Sequence, residues 1–206
     1  MADDPQAQLY LITPAEFDLL SFSNVLKSVL DAVDVACLRL SMSSTDADRI
    51  GRAADTLREI CVERDVAIVI SDHAALIEPF GLDGIHLTDG ARSVRKLRKD
   101  LGGDRIVGAF CETSRHAGMS AGEAGADYVA FGPVGASGLG HQEPAGTDLF
   151  HWWSEVIEVP VVAEGALTAK RVAELADFTD FFGVGTEIWS ADDPLAALRA
   201  LMAPVL

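Results

Sequence analysis

The chain has 206 residues, of which 49% are hydrophobic, and this is enough for one well-buried core. Its formal net charge of -16 at pH 7 argues against nucleic acid as a partner, since the average field repels phosphates. No apolar run approaches the roughly 20 residues of a membrane span, and the acidic start has no signal-peptide core. We therefore expect a single domain over residues 1–206 that is soluble and cytoplasmic and does not bind membranes.

Short runs rich in Val, Ile and Leu alternate with segments of helical composition along the whole chain. Each apolar run is too continuous to have one face in water, which is typical of parallel strands covered by helices. The eight predicted strands are Gln8–Ile12, Val35–Leu40, Ala67–Ile70, Gly84–Leu87, Ile106–Ala109, Tyr128–Phe131, Val161–Ala163 and Phe181–Val184.

Eight predicted helices follow these strands in turn. They are Ser23–Ala32, Asp46–Arg64, Ala74–Phe80, Ser93–Leu101, Met119–Ala124, Phe150–Ile157, Ala169–Leu175 and Pro194–Ala203. The second has the clearest signals, because capping candidates at residues 43–46 precede apolar positions at helical spacing. Eight alternating units with right-handed crossovers predict an α/β fold, a single closed (β/α)8 TIM barrel. The residues that follow each strand then face one common mouth.

Three cysteines, Cys37, Cys61 and Cys111, have no short metal-type spacing. Their odd number is typical of reduced thiols in a cytosolic protein rather than of a disulfide framework. We interpret them as small buried hydrophobic residues.

Several motifs occur in an order that resembles thiamine phosphate synthase and its TenI-like relatives. The most specific is Gly-Ala-Asp-Tyr-Val-Ala-Phe-Gly-Pro-Val at residues 125–134, and the resemblance runs from about residue 8 to 189. The other motifs are Leu-Tyr-Leu-Ile-Thr at 9–13, Leu-Arg at 38–39, Ser-Asp at 71–72, Asp-Gly-Ile-His-Leu at 83–87 and Pro-Val-Val-Ala at 160–163.

This resemblance implies a barrel that joins hydroxymethylpyrimidine diphosphate to thiazole phosphate with loss of diphosphate. In the synthases, a Gln-x-Arg-x-Lys motif, an Asn-Asp-Arg motif and Mg²⁺ bound to two aspartates hold the diphosphate. Only Arg39 of the first motif and Asp72 of the second remain here, so these are the catalytic positions that the resemblance carries over, with Asp72 also the candidate Mg²⁺ ligand. The second metal aspartate falls at Ala91, and Asp89 lies two residues earlier.

The thiazole-phosphate side has also changed. Gly165, Gly185 and Thr186 match the phosphate-binding turns after the seventh and eighth strands, and Ser137 lies where a Thr-x-Thr-Lys loop is usual. Glu164 and Glu187 place carboxylates beside these turns. If their side chains face a bound phosphate, we expect repulsion of a few kcal/mol each.

The sequence leaves the roles of several of these residues open. Arg39 is either half of an ion pair with Asp72, Glu112 or Glu164, or an anion-binding residue. Asp72 is either a metal ligand or a helix N-cap, and His86 is interpreted first as a hydrogen-bonded core residue. Glu112 and His116 would share a face if both were helical, which would favour a metal site with Asp72 and His86.

We predict a thiamine phosphate synthase-like protein with a small-molecule ligand in the barrel mouth and with doubtful transferase activity, because at least four cationic or metal-binding positions are replaced. One alternative is a non-catalytic or regulatory barrel that binds a thiamine-related ligand. A second is a metal-dependent or acid-base enzyme on another substrate, which would use the mouth residues Glu112, Glu164, Glu187 and His86. The sequence does not indicate an oligomeric state.

Overall fold

Eight parallel strands close into a barrel in the computed structural model, which describes residues 7–135 and 144–205. Each strand pairs with the next along the chain, and β8 closes the ring by pairing with β1. The strands are β1 (Gln8–Ile12), β2 (Cys37–Leu40), β3 (Ala67–Ser71), β4 (Gly84–Leu87), β5 (Ile106–Phe110), β6 (Tyr128–Phe131), β7 (Val161–Glu164) and β8 (Phe181–Val184). The predicted (β/α)8 architecture is therefore confirmed.

Helices follow the strands in the expected order. They are α1 (Leu19–Leu30), α2 (Ala47–Val62), α3 (Ile77–Phe80) after a 3-10 turn (Ala74–Leu76), α4 (Val94–Leu101), α5 (Arg115–Glu123), α6 (Thr147–Val156), α7 (Ala169–Leu175), α8 (Thr186–Trp189) and α9 (Pro194–Met202). In α2, Asp46 accepts hydrogen bonds from the amides of Asp48 and Arg49, so it is the N-cap among the predicted candidates.

Two predicted helix starts were wrong by four residues. The α1 helix begins at Leu19 because the Asp18 carboxylate caps the amide of Ser21, and α5 begins at Arg115 because Ser114 caps the amide of Ala117. The short helix α8 was not predicted, since its four residues are too few to show an apolar period.

The interior of the barrel is filled by side chains. A small cluster of buried residues lies inside the ring of strands, and a much larger cluster packs the strands against the helices. The members of the inner cluster are Tyr10, Cys37, Val69, Tyr128, Ala130 and Val162. Because side chains fill the interior, the space for a ligand is at the mouth, as in other β/α barrels.

Gly108 on β5 makes room for the ring of Tyr128. A β-carbon at Gly108 would overlap the outer ring atoms of Tyr128, which is buried and cannot swing into solvent. We expect Gly108→Ala to lower the free energy of unfolding by about 1–3 kcal/mol, in the range of overpacked cores. Gly103→Ala is the matched control, because nothing lies within 4 Å of its β-carbon. Equal stability of the two variants in urea would contradict this packing.

The three cysteines are free and buried, as predicted. Burial raises the pKa of the Cys61 thiol and of the Cys111 thiol to about 12, so both remain protonated at neutral pH. Within residues 7–135 and 144–205, none of the helices has the length and apolar character needed to cross a membrane.

Candidate functional site

Arg39 and Glu164 form a buried ion pair across the barrel interior. Arg39 projects from β2 and is 7% exposed, and Glu164 ends β7 and is 9% exposed. The two guanidinium nitrogens donate in parallel: Nη1 to Oε2 at 2.9 Å and Nη2 to Oε1 at 3.2 Å. Of the three partners that the sequence left open for Arg39, the structure therefore selects Glu164. The negative charge of Glu164 is compensated and does not act freely on the mouth.

His86 extends this pair into a chain of hydrogen bonds. Its Nε2 lies 2.6 Å from Arg39 Nη1, and its Nδ1 lies 2.9 Å from the Tyr128 hydroxyl. Since the guanidinium can only donate, Nε2 accepts and the ring proton is on Nδ1, which donates to Tyr128. The Tyr128 hydroxyl is in turn 2.7 Å from that of Tyr10. The predicted hydrogen-bonded core histidine is confirmed, and the sequence did not reveal its tyrosine partners.

The protonation states of this network follow from its burial. Desolvation and then the charge of Arg39 lower the pKa of His86 well below its ordinary 6.5, so the ring is neutral. Burial alone would lower the pKa of Arg39, but Glu164 and Tyr10 raise it above its usual value. Burial raises the pKa of both tyrosines, which stay neutral. Arg39 and Glu164 are therefore the charged members of the chain, and Glu164 and His86 are not free to act as an acid-base pair.

The neutral His86 gives a testable pH dependence of stability. The unfolded chain binds a proton at this residue near 6.5, whereas the native chain does so only at lower pH. The stability that the neutral His86 ring contributes is complete above pH 6.5. As the pH falls below 6.5, the free energy of unfolding decreases by up to about 1.4 kcal/mol per pH unit. We expect His86→Gln to flatten this part of the urea-unfolding profile, and His116→Gln, at an exposed site on α5, to leave it unchanged.

Asp72 lies at the mouth immediately after β3, and its carboxylate binds Thr88. Its Oδ1 accepts the Thr88 amide at 3.0 Å and its Oδ2 accepts the Thr88 hydroxyl at 2.6 Å. The interpretation of Asp72 as a helix N-cap is wrong, because the cap of the following 3-10 turn is His73 and it has no side-chain hydrogen bond. The backbone of Asp72 is left-handed, with φ of 57°, which directs the side chain back toward β4.

The mouth residues do not form a magnesium site by themselves. Mg²⁺ prefers several oxygen ligands in octahedral geometry. Both oxygens of Asp72 accept hydrogen bonds from Thr88, and Asp89, the next residue along the chain, accepts the Ser93 hydroxyl at 2.6 Å. No group of three or more His, Cys, Asp or Glu side chains suited to a metal occurs in residues 7–135 and 144–205. Since Mg²⁺ usually binds one or two carboxylates together with waters and substrate phosphates, Asp72 and Asp89 are the carboxylates that this part of the mouth could offer to it.

Glu187 occupies the turns where the resemblance places phosphate. Its Oε1 accepts the amide of Leu167 at 3.1 Å, and its Oε2 accepts the amide of Gly185 at 2.9 Å. One amide follows β7 and the other follows β8, so donors from two separate loops converge on a single half-buried carboxylate. The left-handed residues Gly165 and Ala166, with φ of 83° and 55°, turn the first loop back over the barrel. We call these two amides with Glu187 the amide cradle.

The other predicted site residues make no hydrogen bond with the cradle or with the ion pair in the described part of the chain. Glu112 is exposed in the loop before α5, and His116 is on that helix, so the expectation of one shared helical face is wrong. Thr186 is exposed at the start of α8, directly after Gly185. Ser137 lies outside the described residues.

Comparison with known proteins agrees with this fold and this order of motifs. The family described as thiamine monophosphate synthase matches residues 9–184. The chain belongs to this family. It is 40% identical to the thiamine-phosphate synthase of Rhodospirillum centenum over 89% of each chain, and 37% identical to that of Erythrobacter litoralis over 92% of this chain and 91% of the relative.

Solved structures show how widely this family's fold is shared. Thiamine phosphate pyrophosphorylase from Pyrococcus furiosus superposes with a TM-score of 0.81 at 21% identity, covering 96% of this chain and 95% of the other. The 3-hexulose-6-phosphate synthase from Salmonella typhimurium reaches 0.70 at 18% identity, with 96% and 98% covered. At these identities the likeness concerns the barrel alone, and the chemistry must be argued from the site.

Proposed function

We propose that this barrel binds a small thiamine-related ligand without a phosphate in its mouth, and that it joins hydroxymethylpyrimidine diphosphate to thiazole phosphate only slowly. The family supports the ligand class, since the relatives at 37–40% identity are named thiamine-phosphate synthases. The observation that carries the proposal is Glu187, whose carboxylate already accepts both amides of the cradle. The three free cysteines are compatible with a cytoplasmic location, where thiols stay reduced.

A phosphate would compete with Glu187 for the same donors. A phosphate that displaced the carboxylate would accept from the same two amides, so the two charge-assisted hydrogen bonds are exchanged with little net gain. A displaced Glu187 at about 5 Å from the phosphate would add repulsion of about 3 kcal/mol per unit charge at an effective dielectric near 20. A neutral hydroxyl in place of the phosphate is not repelled by the Glu187 carboxylate. The cradle therefore favours the unphosphorylated ligand.

The diphosphate side lacks the charge that a departing diphosphate needs. Arg39 is the only cation kept from the family's two basic motifs, and its guanidinium is held by Glu164. By the resemblance, the remaining amide and cationic positions of these motifs carry Cys37, Ser41, Ser71 and His73. Loss of one preorganised donor to a developing negative charge costs about 10²–10³ in rate. We therefore expect several such losses to slow the transfer. Asp72 remains at the mouth and Arg39 remains in the barrel interior.

A synthase assay tests the proposal directly. Both phosphorylated substrates and Mg²⁺ are incubated with this chain and, in parallel, with the Rhodospirillum centenum relative, and thiamine phosphate is quantified. We expect this chain to turn over at least about 10²-fold more slowly than a relative that has the complete motifs. The standard must carry the complete Gln-x-Arg-x-Lys and Asn-Asp-Arg motifs. If the Rhodospirillum centenum relative lacks them, a family member that has them takes its place. Equal turnover with such a standard would refute the proposal.

A further inference from the structure

A cavity of about 430 Å³ lies outside the barrel at the end where β1 and β8 leave the sheet. The loop after β1, the first turns of α1 and the segment from α8 to α9 surround it. We propose that this cavity binds an aromatic organic cation. Its volume is within the range of about 300–1,000 Å³ that is usual for small-molecule sites. The cavity does not include the Arg39 network or the two amides of the cradle, although Thr186 in its lining lies between Gly185 and Glu187, so this inference goes beyond the proposed function and is tested separately.

Three aromatic side chains, Phe17, Phe22 and Trp189, contribute to the apolar part of the lining together with Pro14, Val25, Ala191 and Pro194. The rings of Phe17 and Phe22 have centroids 4.6 Å apart, and those of Phe22 and Trp189 are 5.1 Å apart in an edge-to-face arrangement. Trp189 is further fixed by its indole N–H, which donates to the Ile12 carbonyl at 2.6 Å. The rings are thus held in place before any ligand arrives, so little ordering is required on binding.

Every charged residue that lines this cavity is acidic. These residues are Glu16, Asp18 and Asp192, and no Lys, Arg or His side chain is among the described residues around it. Asp18 caps α1, and hydrogen bonds from Ser21 lower its pKa, so it stays ionised. Across residues 7–135 and 144–205, no hydrogen bond or ion pair engages the carboxylates of Glu16 and Asp192. Both are exposed at the rim and free to contact a ligand.

Aromatic walls and acidic rims favour the same class of molecule. The faces of aromatic rings carry negative electrostatic potential and attract cations, most strongly in the case of tryptophan. The carboxylates add attraction for positive charge and repel anions, as does the net charge of -16 over the whole chain. A flat aromatic cation can stack against the rings and place its charge near the rim, whereas a neutral aromatic of the same size gains only the apolar contact.

The test compares a cation with a neutral molecule of nearly the same shape. Calorimetry at pH 8 measures binding of 1-methylquinolinium and of 4-methylquinoline to the full chain. We expect the cation to bind at least fivefold more tightly. We also expect the double substitution Glu16→Gln with Asp192→Asn to weaken the cation at least fivefold and to leave the neutral compound within twofold. Phe17→Leu should weaken the cation more than the neutral compound.

A matched control removes the same charge elsewhere. Asp100→Asn with Asp104→Asn changes two exposed carboxylates around the end of α4, away from the cavity lining, and should alter cation affinity less than twofold. The inference is overturned if the neutral compound binds as tightly as the cation. It is also overturned if the control pair weakens the cation as much as the rim pair, because the attraction would then come only from net charge.

Discussion

We expect the Arg39→Met variant to be less stable than the wild type by about 3–5 kcal/mol. The substitution leaves the Glu164 carboxylate buried without its two guanidinium donors, and removal of one partner of a buried ion pair has costs of this size. It also removes the donor to His86 Nε2, so the loss extends along the hydrogen-bond chain. Unfolding in guanidinium chloride, followed by circular dichroism, measures the change. An unchanged slope of the free energy of unfolding against denaturant concentration shows that the folded and unfolded states are otherwise alike.

The double variant Arg39→Met with Glu164→Met separates the ion pair from the packing. Since two apolar side chains leave no buried charge, we expect it to lose clearly less stability than the sum of the two single variants. The difference measures the coupling between the two residues. Additive single losses would contradict the description of Arg39 and Glu164 as a mutually compensated pair.

We expect Glu187→Ala to bind phosphate about 10²-fold more tightly than the wild type. The substitution frees the amides of Leu167 and Gly185 and removes repulsion of about 3 kcal/mol, which corresponds to this factor at about 1.4 kcal/mol per tenfold. Calorimetric titration with inorganic phosphate measures the effect. Glu187→Gln keeps an acceptor for the amides but loses the charge, so we expect an intermediate affinity.

Glu123→Ala is the control for a general change in charge. Glu123 is exposed at the end of α5, on a different element from the cradle, and its loss should leave phosphate affinity unchanged. If Glu187→Ala and Glu123→Ala behave alike, Glu187 does not exclude phosphate from the cradle. Thermal unfolding of each variant shows whether the loop after β7 remains in place without its carboxylate.

The barrel was predictable because its signals are local. The alternation of apolar runs and helical patterns places all eight strands within about two residues of their observed ends. The starts of α1 and α5 were missed because the capping residues Asp18 and Ser114 were not identified as helix starts. Both caps lie five residues before the predicted starts at Ser23 and Met119, and a search for Ser, Thr, Asp or Asn upstream of those starts would have located them.

The site was less predictable because its contacts join distant parts of the chain. Arg39 and Glu164 are 125 residues apart, and only the closed ring of strands brings them together. The hydrogen bonds from His86 to Tyr128 and on to Tyr10 depend on strand register, which the sequence does not specify. The orientation of Glu187 depends on the left-handed turn at Gly165 and Ala166, and the sequence suggested only that a carboxylate lies nearby.

The central claim is that Glu187 makes the mouth prefer a ligand without a phosphate. Its most direct test is the ratio of the dissociation constants of wild-type protein for 5-(2-hydroxyethyl)-4-methylthiazole and for its phosphate ester, measured by calorimetry in one buffer. We expect the wild type to bind the alcohol more tightly, and Glu187→Ala to reverse this order. Tighter binding of the phosphate ester by the wild type, with Glu187 intact, would contradict it.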